Sequence, residues 1–254
     1  MTFATYPSLA GRVVFVSGGA TGIGAEIVRA FARNGCRIAF IDIDEAAGER
    51  LARELSDGGP EVAFMRADVT DIAALRQSIA DTRARLGPVA VLVNNAANDE
   101  RHAVDAVDVA TWDHAQNVNL RHHFFAAQAV HPHMRELGHG SIINLASIAW
   151  RNGVPDLAAY ATAKAGIVGL TRALARAFGP DNIRVNAIEP GAVMTERQRR
   201  LWYKSQASVD AMVQRQSLKK TLLAEEIARA ALFLAADDSR MITKQSLVVD
   251  AGLR

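Results

Sequence analysis

The residues best placed to do chemistry are a tyrosine and a lysine four positions apart, Tyr160 and Lys164 in LAAYATAKAG. On a helix they share one face, stacked about one turn apart. Their alanine and glycine neighbours let that face approach another surface closely. A free phenol has a pKa of ~10, a neighbouring ammonium favours phenolate, and a tenfold change in that ionisation needs only ~1.4 kcal/mol. The pair is a candidate general base with its own activator. The spacing alone also fits a core tyrosine beside a lysine reaching for solvent. Ser147 ends the run NLAS, where its hydroxyl could hold a substrate oxygen beside the phenol.

A second constellation is SGGATGIG, Ser17–Gly24. Gly18, Gly22 and Gly24 are spaced G-x-x-x-G-x-G. Such a turn lets backbone N–H groups and a helix N-terminus approach a pyrophosphate, although a glycine-rich turn without a ligand has the same look. Asp42 closes the next apolar run, RIAFID, 18 residues after Gly24, near the ~20 expected of a carboxylate on an adenosine ribose. It would accept bonds from ribose hydroxyls and repel a 2′-phosphate. Neither Thr21 nor Ile43 offsets that charge, so NAD is expected rather than NADP. Asp42 could instead cap the following helix, a task equally open to Asp44.

These groups need a scaffold. Apolar, β-branched runs predict strands at Val13–Ser17, Arg37–Ile41, Val62–Arg66, Val89–Val93, Ser141–Ala146, Arg184–Ile188 and Leu247–Val249. Helices are predicted at Gly22–Asn34, Glu45–Leu55, Ile72–Leu86, Val118–Glu136, Ala158–Phe178 and Ala224–Ala235. The alternation implies an α/β fold: one domain over residues 1–254, with a Rossmann-type, doubly wound, parallel seven-stranded sheet and helices on both faces. Ligands of such sheets sit at the carboxyl ends of the strands. The irregular stretch Thr195–Thr221 is expected to form a small helical lid over that end.

Composition narrows the partners. The chain has 254 residues, half of them apolar, and a net charge of +2. Nothing there points to nucleic acid or an anionic membrane, and the basic run Arg197–Arg200 reads as a solvated helix face. Cys36 is the only cysteine; it reads as an inert packing residue, and the lack of an intrachain disulfide fits a reducing cytoplasm. No apolar run approaches the ~18 residues that span a bilayer, and the N-terminus lacks a signal-peptide layout. His122 and His123 are adjacent and expected to diverge on a helix, and His131-Pro132-His133 lacks a third ligand, so no catalytic metal is expected.

In combination and in order, SGGATGIG, Asp42, Asp68-Val69, NNAA, Asn119 in NVNL, Ser147, AYATAK and PGAVMT resemble the short-chain dehydrogenase/reductase family over nearly the whole chain. The resemblance implies a tetrad of Asn119, Ser147, Tyr160 and Lys164: Tyr160 takes the hydroxyl proton, Ser147 orients the oxygen, Lys164 lowers the Tyr160 pKa, and Asn119 holds a relay water. It implies cofactor contacts from Gly18, Ala20, Thr21, Gly22, Ile23, Gly24, Asp42 and Ile43, and from Tyr160 and Lys164, with Lys164 holding the nicotinamide ribose. Asp68 and Val69 are expected at adenine, and Asn95 and Ala96 at the end of the fourth strand. Pro190, Gly191, Val193 and Thr195 are expected at the nicotinamide carboxamide. Asn94 is expected to brace the sheet. Ala97 and Ala251 stand where the family commonly has glycine; both changes are expected to be tolerated, with the backbone in question at Ala97. A homotetramer built on the helices at Val118–Glu136 and Ala158–Phe178 is implied as well.

A narrower likeness, carried by YPSLAGR, NDERH, NVNLRH, SIINLASIAW, TERQRRLWY and DAGLR, is to the branch of aldose 1-dehydrogenases acting on sugars of the D-xylose, L-arabinose, D-galactose or L-fucose type. It implies oxidation of the anomeric C1–OH of a pyranose to a lactone. Asn98, Trp150, Arg197, Gln198 and Trp202 join Ser147 and Tyr160 as candidate sugar contacts, because hydroxyls need donors and acceptors and an indole can cover a ring face. The two tryptophans fit packing beneath the lid equally well. The competing readings are a 3-oxoacyl reductase-like enzyme, which Asp42 opposes, and a nucleotide-binding sensor, which would not need the tetrad.

Overall fold

The computed structural model describes residues 4–56 and 59–254. In chain order the elements are β1 (Val13–Ser17), α1 (Gly22–Arg33), β2 (Arg37–Asp42), α2 (Glu45–Ser56), β3 (Val62–Arg66), α3 (Ile72–Leu86), β4 (Val89–Asn94), α4 (Val109–Gln116), α5 (His122–Leu137), β5 (Gly140–Leu145), α6 (Ala149–Asn152), α7 (Ala158–Phe178), β6 (Ile183–Pro190), α8 (Glu196–Leu201), α9 (Gln206–Arg215), α10 (Ala224–Ala235) and β7 (Ser246–Val249). The strands form one seven-stranded sheet in the order β3-β2-β1-β4-β5-β6-β7, with parallel pairing throughout. The order reverses between β1 and β4, and the crevice there is where ligands of open α/β sheets bind.

Continuous apolar strands follow from burial on both faces. Val14 and Val16 pack into one layer with α1 and α10. Val13 and Phe15 point the other way, into a layer with α3, α5 and α7. Each fully buried Val, Ile, Leu or Phe contributes ~1.5–3 kcal/mol, so the central strands anchor the sheet while polar groups gather at its carboxyl edge. Among the described residues, no helix is long and apolar enough to cross a membrane.

The helix expected over Val118–Glu136 is the main departure. It is preceded by α4, whose N-cap Asp108 accepts the Thr111 N–H at 2.8 Å, and a π-helical turn, Asn117–Arg121, joins α4 to α5. The extra residue in that turn breaks the 3.6-residue period on which sequence reading depends; π-turns of this kind are frequent at functional sites. The stretch expected to form the lid contains α8 and α9, capped by Thr195 and Ser205.

Candidate active site

The nucleotide side of the crevice is made of backbone. Gly18 has φ +65°, and a Cβ there would lie 2.7 Å from Ala96 Cα. A Cβ at Gly24 would lie 1.9 Å from the Gly18 carbonyl oxygen, so turn and helix touch without side chains between them. Thr21, at the N-cap of α1, makes no side-chain capping bond, whereas Asp71 caps α3 through the N–H groups of Ala73 and Ala74. The first-turn N–H groups of a helix have no partner within it. In α1 they are left open beside exposed Thr21 and Gly22, an arrangement that fits a dinucleotide's pyrophosphate.

Asp42 is tied into the same turn. Its Oδ2 accepts the Ala20 N–H at 2.9 Å and its Oδ1 the Asp44 N–H at 3.1 Å. The helix cap falls to Asp44, which accepts the Ala47 N–H at 3.0 Å. Ile43 is 67% exposed, an apolar surface beside the carboxylate. No basic residue adjoins Asp42 along the chain, but across the sheet its register partner is Arg66. That guanidinium has only a loose contact, 3.9 Å, with Glu45. On the next strand end Asp68 accepts the Thr70 N–H and hydroxyl, and Val69 is buried.

Asn94-Asn95 stitches the centre. Asn94 is buried and donates to Asn144 Oδ1 at 2.9 Å. Asn95 donates to the carbonyls of Ser17 and Gly18, while the N–H groups of Asn95 and Ala96 donate to the Ser17 hydroxyl. Ala97 does not have positive φ; Ala251 does, at +54°. The backbone question raised at Ala97 therefore belongs at Ala251, where an alanine in the left-handed region costs ~1–2 kcal/mol.

The structure brings Ser147, Tyr160 and Lys164 together. Ser147 stands beside the Tyr160 phenol, close enough to favour its ionised form, and its Oγ accepts the Ala149 N–H at 3.1 Å. Lys164 is 1% exposed; its Nζ donates to the Leu145 carbonyl at 2.8 Å and lies 5.4 Å from the centroid of the Tyr160 ring. The expected lowering of the phenol pKa is not found in the protein alone. Burial pushes it up, the Asp99 charge adds to that, and Ser147 only partly reverses it. Burial also lowers the Lys164 pKa to about 7 against a smaller upward pull from Asp99. A low-dielectric site disfavours both charged forms at once.

Asn119 is 1% exposed. Its Oδ1 accepts the Asn98 N–H at 2.9 Å, and its Nδ2 donates to the carbonyls of Asn98 and Ala115. One of these N–H bonds braces the loop after β4 and the other the end of α4.

A cavity of about 350 Å³ opens beside Tyr160, lined by Asn98, Glu100, His102, His114, Asn119 and Asp156 among others. Of the five sugar contacts expected besides Ser147 and Tyr160, only Asn98 lines it. Arg197 and Gln198 turn instead to Asp99, with Gln198 Nε2 donating at 2.6 Å, so Arg197 is not the purely solvated residue expected of a basic run. Trp150 donates its indole N–H to the fully buried Glu189 at 3.0 Å. Glu189 also accepts both Arg151 Nε and Nη2 and the Ser246 hydroxyl. Burial alone would raise its pKa, but these bonds outweigh burial and leave it lowered. Trp202 lies under the Arg101 guanidinium, 4.1 Å from its ring centroid, and its buried indole N–H has no hydrogen-bond partner among the described residues.

At the far side, Pro190 accepts the Ile148 N–H, and a Cβ at Gly191 would lie 2.7 Å from Asp250. Val193 is buried. Thr195 caps α8 and stands within 3.4 Å of where a Gly22 side chain would begin. Those residues join the lid's first helix to the glycine turn. His122 and His123 do not diverge as expected. Both are fully buried with ring centroids 4.3 Å apart, His122 bonding the Ala96 carbonyl and His123 bonding Asn144. The π-turn just before them sets both rings inward, where burial holds the His122 pKa down to about 3.

Known proteins are similar to this chain in sequence and in fold. The family model described as "Enoyl-(Acyl carrier protein) reductase" matches residues 18–254. A probable galactose dehydrogenase of Rhizobium meliloti is 48% identical over 98% of this chain and 97% of its own length. A D-xylose 1-dehydrogenase of Caulobacter vibrioides is 44% identical over the full length of both. Among solved structures, a short-chain dehydrogenase/reductase from Serratia marcescens superposes with a TM-score of 0.90 at 34% identity, covering 97% of this chain and 99% of its own.

Proposed function

The chain belongs to the short-chain dehydrogenase/reductase family as an oxidoreductase of CH–OH donors using a nicotinamide nucleotide, and on that premise we propose that it oxidises a pyranose aldose at C1 to the lactone, with NAD preferred to NADP. The observation that carries the reading is Tyr160, with Ser147 beside its phenol, at the edge of a cavity of about 350 Å³ whose wall mixes apolar side chains such as Val107, Val118 and Leu157 with amide, carboxylate and imidazole groups. Such a wall offers a sugar's hydroxyls donors and acceptors and its ring an apolar face. The names of the galactose- and xylose-oxidising relatives point the same way.

Ser147 and Tyr160 hold the C1 hydroxyl, and Tyr160 accepts its proton. A neutral phenol cannot take that proton, so Tyr160 acts once it has ionised; burial in the protein alone opposes this ionisation, and the positive charge of a bound oxidised nicotinamide would favour it. A bound oxidised nicotinamide would supply the acceptor for the C1 hydride. Lys164 keeps a polarisable N–H group behind the phenol, and Asn119 fixes the loop that carries Asn98. The open N-terminus of α1 with Gly18, Ala20, Thr21, Gly22, Ile23 and Gly24 seats the pyrophosphate, and Asp42 meets the ribose. Asp68, Val69, Asn95 and Ala96 border the adenine side; Pro190, Gly191, Val193 and Thr195 border the nicotinamide. We read one domain over 1–254 with a lid at about 195–221. In a homotetramer, α4 and α5 would cover exposed Val109, Trp112 and Phe124.

The test follows NADH and lactone together across D-xylose, L-arabinose, D-galactose, L-fucose and D-glucose. Stoichiometric lactone from at least one is expected. Robust oxidation of a secondary alcohol with no aldose activity would overturn the sugar assignment.

A further inference from the structure

The loop leaving β4 carries a carboxylate, Asp99, between Asn98 and Glu100, which both line the cavity at Tyr160, and close enough to Tyr160 and Lys164 for its charge to act on both. Asp99 has a side chain 20% exposed. Its Oδ1 accepts Arg197 Nε and Nη2, both at 3.2 Å, and its Oδ2 accepts Gln198 Nε2 at 2.6 Å. Arg197 also reaches Asn98 Oδ1 at 2.8 Å. Two of the side chains expected to meet substrate, Arg197 and Gln198, therefore converge on Asp99, and Arg197 also holds a third, Asn98. The preceding residue is clamped by Asn119 through two backbone bonds of 2.9 and 3.0 Å, so the position of Asp99 is fixed relative to the reacting oxygen.

A carboxylate offers about four acceptor sites, and the two oxygens here accept three donations from α8. One remains on Oδ2, the oxygen held by Gln198. We propose that Asp99 determines substrate class at this site: the free lone pair accepts a hydrogen bond from a ring hydroxyl, and its charge excludes substrates carrying an anion at that place. The proposal rests on the sugar reading and deepens it. A hydroxyl satisfies the remaining acceptor at no charge penalty, whereas a substrate carboxylate or phosphate would face a like charge in a partly desolvated cleft. A merely structural Asp99 would latch α8 to the β4 loop and do nothing else.

The two roles separate by experiment. Steady-state kinetics would compare wild type, Asp99→Asn and Gln198→Ala on the preferred aldose, its monodeoxy derivatives and its uronic acid. The Asp99→Asn change is near-isosteric, and Gln198 can turn its amide to meet the new one, so the latch survives. In wild type, loss of one particular hydroxyl is expected to lower kcat/KM by about 100-fold or more, since sites built to bond a hydroxyl reject its absence strongly. In Asp99→Asn that same loss should shrink to about tenfold or less, and the uronic acid should gain at least tenfold relative to the neutral sugar. Gln198→Ala, which weakens the latch while keeping the charge, should raise the sugar KM without changing either ratio.

If Asp99→Asn leaves both ratios unchanged, the residue is a latch only and the proposal fails. If Asp99→Asn does not bind cofactor, Asp99→Glu replaces it: retained exclusion of the uronic acid with an altered deoxy pattern supports the proposal, and an unaltered pattern overturns it. If wild type oxidises no aldose, the sugar reading falls. The charge half is then read on whichever secondary alcohol is oxidised, where equal discrimination against its carboxylated analogue in wild type and Asp99→Asn overturns that half too.

Discussion

The β1–β3 half of the carboxyl edge and the β4–β7 half solve opposite problems. In the first, binding surface is backbone: an uncapped helix N-terminus, glycines pressed on neighbouring main chain, and one carboxylate tied to the turn it faces. In the second, side chains from distant segments meet, and burial works against their charged forms: it pushes the Tyr160 pKa up and those of Lys164 and His122 down, while four donors outweigh it at Glu189. A backbone site can be built without destabilising the fold. A chemical site keeps charges and polar groups where the fold alone would not place them.

Tyr160→Phe gives the sharpest separation. It should lower kcat by ~10²–10⁴-fold, the range of general-base catalysis, while the NADH dissociation constant measured by fluorescence titration stays within about twofold. A parallel loss of nucleotide affinity would mean that the halves are not separable. Asp42→Ala is the mirror experiment. Removing the carboxylate exposes the 2′ position to Arg66, its partner across β2 and β3, so the preference for NAD should narrow by ~10-fold or more, with the sugar KM unmoved. A wild-type enzyme with higher kcat/KM for NADP would contradict the ribose assignment.

Lys164→Met tests the destabilisation directly. The Lys164 pKa, about 7 in the fold, lies below its unfolded value of ~10.4. The unfolded chain therefore binds the extra proton between those values, and stability rises with pH across that window. Below pH 7 the penalty is complete. Lys164→Met should thus abolish turnover yet raise the melting temperature at pH 6, and the gain should fade toward pH 10. Equal melting temperatures at pH 6 would show that the fold accommodates the amine without cost. The smallest effect is expected at Ala251, whose φ of +54° glycine tolerates freely. Ala251→Gly should stabilise by about 0.5–1 kcal/mol, the relief of strain less the added freedom of the unfolded chain, as read from the chemical-denaturation midpoint.

The same division governs what the sequence reveals. The glycine turn and Asp42 are legible because backbone sites fix residue types at short spacings. The tetrad positions are legible only as an ordered set. Asp99 escapes because its partners lie 98 and 99 residues away on α8, and no local pattern records a long-range bond. The buried His122–His123 pair and the π-turn escape because one extra helical residue defeats periodicity. The Trp150–Glu189 bond escapes for a related reason: Glu189 lies at the end of a strand whose apolar pattern gives no hint of a buried carboxylate cluster.

Cys36 is fully buried, donates its thiol hydrogen to the Leu9 carbonyl, and has its pKa pushed up to about 12 by burial. The folded protein thus offers no native thiolate to a maleimide or a gold surface. Met241 is 89% exposed in the segment that leads into β7, at the amino ends of the strands and away from the crevice. A cysteine placed there would be the sole reactive thiol, and an electrode coated through it would present the crevice outward, toward solution.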